Sequence, residues 1–196
     1  MRKRILLPAG AVLLTAMLGT AAPRHEPPAC VVAARWVRAH HDRLPTTLAE
    51  YARYDQVHRR AIYDALPPAT RQAMWRQHLD GYLRPGSPLT EPQKAAVRDA
   101  MTYLPVLTVN NPDRAVARGL RDRLSTQFDR ALLRRVFFKL GPAPAAPADA
   151  GKRPLCDCDT DGDCSSGTVC KPLLCSFTTG CGIFGSDTCT GVCRLP

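Results

Sequence analysis

Apolar side chains recur at intervals of three and four residues through most of the chain before Gly141. Two such runs flank Pro67 and Pro68, which fit only between helices because an interior proline loses a hydrogen bond and clashes with the preceding turn. The pattern predicts amphipathic helices that pack on one another. The apolar positions are Tyr54, Val57, Ala61, Ile62 and Leu66 in the first run and Met74, Trp75, Leu79, Tyr82 and Leu83 in the second.

Two helix starts carry a recognisable capping signal. Thr47 is followed three residues later by Glu50, and Thr90 by Gln93. In such a capping box each side chain bonds the backbone amide of the other residue. Pro92 lies where the first turn of the second helix tolerates a proline. Helices are therefore predicted to begin just after Thr47 and Thr90.

The last apolar run predicts one long helix from Asn111 and Pro112 to a stop at Gly141 and Pro142. Arginines fill much of its other face, and Gly119 inside it costs about 1 kcal/mol relative to alanine. Together these runs predict a mainly α fold, with a small helical bundle over residues 23–141. The apolar positions of this run lie four residues apart, at Val116, Leu120, Leu124, Phe128, Leu132 and Val136.

The first 22 residues have the pattern of a secretory signal peptide. A basic start, "MRKR", precedes an apolar stretch that is short for a membrane span, and small residues follow it. This arrangement predicts cleavage after Ala22 and export from the cell. An uncleaved anchor helix and a lipid-anchored start at Cys30 are the alternatives.

The stretch "GPAPAAPADAGKRP", residues 141–154, predicts a linker over residues 142–155. Alternating proline and alanine leave no large apolar side chain to bury, so the segment is expected to be extended and exposed to proteases. Its Lys152–Arg153 pair is a sequence that dibasic proteases accept, which predicts cleavage after Arg153. The alternative is a chance pair in a basic protein.

Residues 156–196 form a cysteine-rich segment. About forty residues cannot build a core that holds by itself, and in an exported chain thiols pair, so we predict a disulfide-rich module. The simplest accounting is four bridges within it, with Cys30 left over and 105 possible pairings. Little regular secondary structure, or a short β-hairpin, is expected. The predicted disulfide cysteines are Cys156, Cys158, Cys164, Cys170, Cys175, Cys181, Cys189 and Cys193.

Metal and catalytic sites are less favoured by the same residues. The segment has no C-x2-C pair and no histidine for zinc. Asp157, Asp159 and Asp161 match the start of a calcium loop, but Thr168 stands where a glutamate is needed. No histidine pairs with a nucleophilic cysteine, so no enzyme, cofactor or metal is predicted. The histidines, all placed on exposed or boundary positions, are His25, His40, His41, His58 and His78.

Charge is divided unevenly along the chain. Residues 23–153 carry 22 basic and 12 acidic side chains, a net +10, whereas residues 154–196 carry a net −3. This predicts an intramolecular attraction between the basic helical part and the acidic segment, screened by salt. No nucleic acid partner is expected, because the arginines lack interleaved aromatic side chains and are more typical of a solvated face. Membrane contact is left open.

The run from Cys156 to Cys193 resembles the cysteine-rich end of the fulvocin C-related bacteriocins. The shared features are the opening "CDC", cysteines four to seven residues apart and the element "TTGCG" at 178–182. The order of signal, helical middle and cysteine-rich end is similar too. A shorter stretch, "CDTDGDCSSGTVC", resembles whey-acidic-protein and dickkopf-type modules. This sequence has fewer aromatic residues than the bacteriocin, which weakens membrane insertion as a mode of action.

Two functions follow as expectations. The resemblance implies a secreted bacteriocin precursor, whose helical pro-region is cut from a C-terminal peptide that acts on a target on competing bacteria. The alternative is an uncleaved secreted protein that displays a binding or protease-inhibitor module. In that case residues 171–174, "KPLL", are the stretch suited to act as bait for a protease.

Overall fold

A computed structural model describes residues 29–110, 112–142, 155–156, 169–172, 182–184 and 191–194, with backbone alone for Ala29 and for the three short stretches that form strands. The fold is mainly helical, as predicted. The helices are α1 Ala29–Ala39, α2 Leu48–Tyr51, α3 Gln56–Ala65, α4 Pro68–Leu83, α5 Glu91–Thr102, α6 Leu104–Leu107, α7 Arg114–Ser125 and α8 Arg130–Leu133, with a 3-10 turn His41–Arg43 and a π-helical turn Arg134–Phe138.

The predicted helix starts are confirmed. Thr47 accepts a hydrogen bond from the amide of Glu50, and the Glu50 carboxylate accepts one from the amide of Thr47. Thr90 and Gln93 form the same reciprocal pair at the start of α5. The two prolines also stand where expected, since α3 ends at Ala65 and α4 begins at Pro68.

The prediction of one long last helix is wrong. The chain forms α7, breaks, and restarts as α8 when the Asp129 side chain accepts from the amide of Leu132 at 2.8 Å. With about 3.6 residues per turn, positions four apart rotate by about 40° at each step and cannot stay on one face of a straight helix. The start of α7 also differs, because Asp113 caps it rather than Asn111, which lies outside the described residues.

One core unites the helices. α1 packs on α3, and α4 packs on α5 and α6. Cys30 on α1 belongs to this core, and so do Ile183 and Phe184 from the far end of the chain. The largest fully buried side chains include Trp75, Phe137, Phe184, Ile62, Met74, Leu79, Leu104 and Leu120.

Three short strands lie in the cysteine-rich segment. They are β1 Leu155–Cys156, β2 Val169–Pro172 and β3 Gly191–Arg194, and β3 is central, antiparallel to both neighbours. Pro172 ends an edge strand, where a residue without an amide hydrogen is tolerated. Across β2 and β3, Cys170 stands opposite Cys193 in register.

Candidate functional site where the cysteine-rich segment meets the helices

The π-helical turn leaves backbone carbonyls open at the end of the helical part. The backbone amide of Lys139 donates to the Arg134 carbonyl at 3.1 Å. This bond spans five residues, one more than in an α-helix. The amide of Gly141, which would serve the Phe137 carbonyl in a continuing helix, donates instead to Nδ1 of His78 at 3.2 Å. The Phe137 carbonyl is therefore available to a partner from elsewhere in the chain.

That partner is the tripeptide Gly182–Phe184, which we call the anchor. The amide of Ile183 donates to the Phe137 carbonyl at 3.0 Å. Ile183 is 0% and Phe184 1% exposed. The Phe184 ring lies 5.0 Å from the ring of Phe138 and 6.2 Å from that of Phe137, between centroids. The anchor thus combines one main-chain hydrogen bond with two completely buried side chains.

Gly182 fits its place because it has no Cβ. Its φ is +59°, a left-handed conformation that side chains disfavour. A Cβ built there would lie 2.6 Å from the Cα of Phe138 and would also meet the Phe137 carbonyl oxygen. Both neighbours are backbone atoms, which cannot rotate away as a side chain can.

The anchor site is lined by aromatic and cationic groups of the helical part. The Phe128 ring meets the Phe137 ring edge-on at 5.4 Å. From α7, the guanidinium carbon of Arg121 lies 5.4 Å from the centroid of the Phe138 ring. Such a cation over a ring is attractive by about 0.5–1 kcal/mol at exposed sites. The surface that receives the anchor is thus built from the π-helical turn, against which Phe128 and, from α7, Arg121 pack.

Arg59 holds the chain where the predicted linker begins. Its guanidinium donates to the carbonyls of Tyr54 at 2.8 Å and Pro142 at 2.6 Å, and also to that of Ala52. Only 6% of Arg59 is exposed, and burial lowers the pKa of the guanidinium. A small cavity beside it is bounded by Tyr51, Tyr63, Pro142 and Gly182. These contacts fix residue 142 close to the anchor.

His78 is buried, contrary to the prediction of an exposed or boundary position. Because the Gly141 amide donates to Nδ1, the ring is the tautomer with its proton on Nε2, which donates to the Val136 carbonyl at 3.1 Å. Burial lowers the pKa of His78 to about 4. The ring also meets Trp75 and Tyr82 edge-on, at 5.4 and 5.3 Å. His78 therefore ties α4 to the turn that receives the anchor.

We expect the free energy of unfolding to fall by about 3 kcal/mol as pH drops from 6.5 to about 4, because the unfolded chain then binds a proton at His78 that the fold resists. Above pH 6.5 His78 is neutral in both the folded and the unfolded chain, so the free energy of unfolding is no longer reduced by its protonation. Urea titrations at pH 7.0 and 4.5 measure it. The pKa values of Glu50 and Glu91 are lowered by their hydrogen bonds, so their stabilising effects start to be lost only near pH 4.5, at the acid end of this window. His78→Gln should flatten the profile, whereas His41→Gln, at a largely exposed ring, should leave it unchanged.

The other described histidines lie at the surface or at its boundary, as predicted. His40 stacks on Trp36 at 4.4 Å and its Nδ1 contacts the Trp36 carbonyl at 2.8 Å. His58 lies 2.7 Å from the Asp55 carboxylate and meets Trp36 edge-on. His41 is exposed. The contacts of His40 and His58 indicate a structural role for both side chains. His25 lies outside the described residues.

Cys30 is disulfide-bonded, and its side chain is 1% exposed. Every other cysteine of the chain lies between Cys156 and Cys193, so the partner of Cys30 is one of those eight. The simplest pairing predicted from the sequence, four bridges within residues 156–196, therefore does not hold. One of the eight cysteines bonds Cys30, and the seven that remain cannot form four bridges. The first helix is thereby tied covalently to the cysteine-rich segment.

Many of the predicted site residues lie outside the described part of the chain. This holds for the signal peptide with Ala22, for residues 143–154 with Arg153, and for the three aspartates of the calcium alternative. Among the cysteines, Cys156, Cys170 and Cys193 lie in the strands, where the backbone alone is described, and the rest lie outside. Apart from the one bridge to Cys30, the disulfides of the eight cysteines stay a prediction.

Sequence reasoning missed the anchor and the buried arginines. Ile183 and Phe184 stand as an apolar pair next to glycine within a polar stretch, which is the signal that could have found them. Arg59 and Arg71 carry no such signal, because their neighbours in sequence are those of an ordinary solvated helix.

Within the described residues no cluster of three or more histidine, cysteine or acidic side chains is placed to bind a metal ion. Each helix of this part is also too short or too polar to cross a bilayer. No protein-family model, curated protein or solved structure matches the chain.

Proposed function

We propose that this chain is an exported bacteriocin precursor whose helical part holds a disulfide-rich C-terminal effector segment until it acts on related bacteria. The anchor carries the proposal: residues 182–184 of the segment are buried among Phe137 and Phe138 of the helical part. A holder needs such a contact, because a segment that is merely tethered by a linker is not kept in one place. The antibacterial action comes from the resemblance to fulvocin C-related bacteriocins.

The effector in this proposal is the disulfide-rich module of residues 156–196. Bridges that close short loops contribute about 2–4 kcal/mol each, which offsets the small core of such a module. The basic helical part and the acidic segment attract one another at long range, and the attraction weakens in salt. Fewer aromatic side chains than in the bacteriocin favour a target other than the membrane interior.

The alternative function, an uncut display of a binding or inhibitor module, is favoured by the Cys30 disulfide. A bond between α1 and the cysteine-rich segment keeps the two parts together whether or not the linker is cut. In this case "KPLL" at 171–174 is the bait sequence. Lys171 and Pro172 of that stretch lie in the edge strand β2.

The secreted chain carrying Cys30→Ser, in which no disulfide ties the cysteine-rich segment to α1, is expected to inhibit growth of related bacteria after cleavage at Arg153, and to do so less before it. The measurement is a dilution series on a panel of related strains, with the chain before and after a dibasic protease. Lys152→Ala with Arg153→Ala serves as the uncleavable control. Stoichiometric inhibition of a trypsin-like protease by both forms, with no strain inhibited, contradicts the bacteriocin proposal and supports the display module.

A further inference from the structure

We propose that the helical part retains the cysteine-rich segment after the linker is cut, so that release needs reduction of the Cys30 disulfide in addition to proteolysis. Two contacts, one covalent and one not, bridge the predicted cut. The inference rests on the proposed two-part organisation. It involves no bacterial target, so its failure and that of the antibacterial proposal are separate results.

The covalent contact crosses the cut wherever in the linker the cut falls. Cys30 lies before residue 143 and its partner lies at or after Cys156, while the predicted cleavage follows Arg153. Opening the peptide chain between these points leaves the disulfide as a continuous covalent path. Proteolysis alone therefore yields two chains in one molecule.

The non-covalent contact crosses the same cut. The anchor belongs to the segment, and its partners Phe137 and Phe138 belong to the helical part. Full burial of a phenylalanine or an isoleucine stabilises by about 1.5–3 kcal/mol relative to exposure in water. Two such side chains give a contact that survives cutting, but one that dilution can separate once the covalent bond is gone.

Release is a thiol–disulfide exchange. A thiolate of a small-molecule dithiol attacks one sulfur of the Cys30 disulfide; a new S–S bond forms, the old one breaks, and the departing cysteine takes up a proton. The second thiol of the reagent resolves the mixed disulfide, so the protein gains two electrons and two protons while the dithiol is oxidised. Since Cys30 is 1% exposed, attack on its own sulfur requires α1 to open first.

The test places a sequence-specific protease site at Lys152–Arg153 of the full chain and cuts it to completion. On a denaturing gel without reductant we expect one band, which becomes two with a dithiol. Two bands without reductant overturn the covalent part of the proposal. This arm needs no change to either contact, so it is independent of any folding defect.

The second arm separates the two contacts by variants of the cut protein on a native sizing column. Cys30→Ser should co-elute as one species when loaded at millimolar concentration and separate on dilution to micromolar, whereas Cys30→Ser with Phe184→Ala should resolve into two at both concentrations. Phe184→Ala alone should co-elute, held by the disulfide. Circular dichroism verifies that each variant keeps its helices. Separation of the Cys30→Ser halves even at millimolar concentration contradicts the anchor as a retaining contact.

Discussion

Phe184→Ala is expected to destabilise the folded chain by about 3–5 kcal/mol, the usual cost of emptying a buried phenylalanine site. Phe184 is 1% exposed and its ring packs on Phe137 and Phe138. The cavity would lie between elements far apart in sequence, so its neighbours cannot collapse by a local adjustment of one helix. Urea unfolding followed by circular dichroism measures the loss. Phe184→Leu, which fills most of the space, should lose much less.

Gly182→Ala tests the same contact through the backbone. Alanine at a φ of +59°, with Cβ 2.6 Å from the Cα of Phe138, forces the anchor to move and breaks the bond from Ile183 to Phe137. Gly119→Ala is the matched control, because no atom lies within 4 Å of its added Cβ and alanine stabilises a helix interior by about 1 kcal/mol. Equal stability of the two alanine variants would disprove the close fit of Gly182.

Local signals were enough to predict where the early helices begin. A capping box or a proline acts within one turn, so Thr47, Thr90 and Pro68 determine their helix starts without help from distant residues. The prediction of one long helix from the last apolar run was wrong for a geometric reason. Leu120, Leu124, Phe128 and Val136 of the predicted run are buried, but they reach the core from separate elements, because the chain breaks between α7 and α8.

Distant partners explain what the sequence could not predict. His78 and Arg59 lie in helices whose sequences look solvent-exposed. Each is buried because the end of the helical part, at Gly141 and Pro142, folds back over it. The Cys30 bond spans more than a hundred residues, and no spacing rule chooses among eight cysteines for it. The anchor depends on an open carbonyl at Phe137, which exists only after the π-helical turn has formed.

The site and the fold are linked through the end of the helical part. His78 occupies the Val136 carbonyl and the Gly141 amide, Arg59 occupies the Pro142 carbonyl, and the anchor occupies the Phe137 carbonyl. A chain end that in other helices is capped by glycine or by water is here capped by side chains and by the cysteine-rich segment. Loss of any one of these bonds is therefore expected to loosen the hold on the segment.

Arg71→Met is expected to lower the free energy of unfolding by about 3–5 kcal/mol, because unsatisfied buried acceptors cost about 1–3 kcal/mol each and do not add fully. Arg71 is 2% exposed. Its guanidinium donates to the carbonyls of Leu66 at 2.8 Å and Thr108 at 3.3 Å and to Oδ1 of Asn110 at 2.7 Å, and it lies over the Tyr63 ring at 5.5 Å. One side chain thus caps the end of α3 and the turn after α6.

The matched control for Arg71 is Arg76→Met, at an exposed position five residues along the same helix. That change should alter stability by no more than about 0.5 kcal/mol, as surface substitutions usually do. Arg71→Lys keeps the charge, but its single ammonium group cannot reach all the acceptors that the planar guanidinium reaches together. The free energy of unfolding of this variant should therefore lie between those of Arg71→Met and Arg76→Met. Urea unfolding of the three variants ranks them directly. If Arg71→Met and Arg76→Met unfold at the same urea concentration, the buried guanidinium does not join α3 to α6, and packing alone holds these helices together.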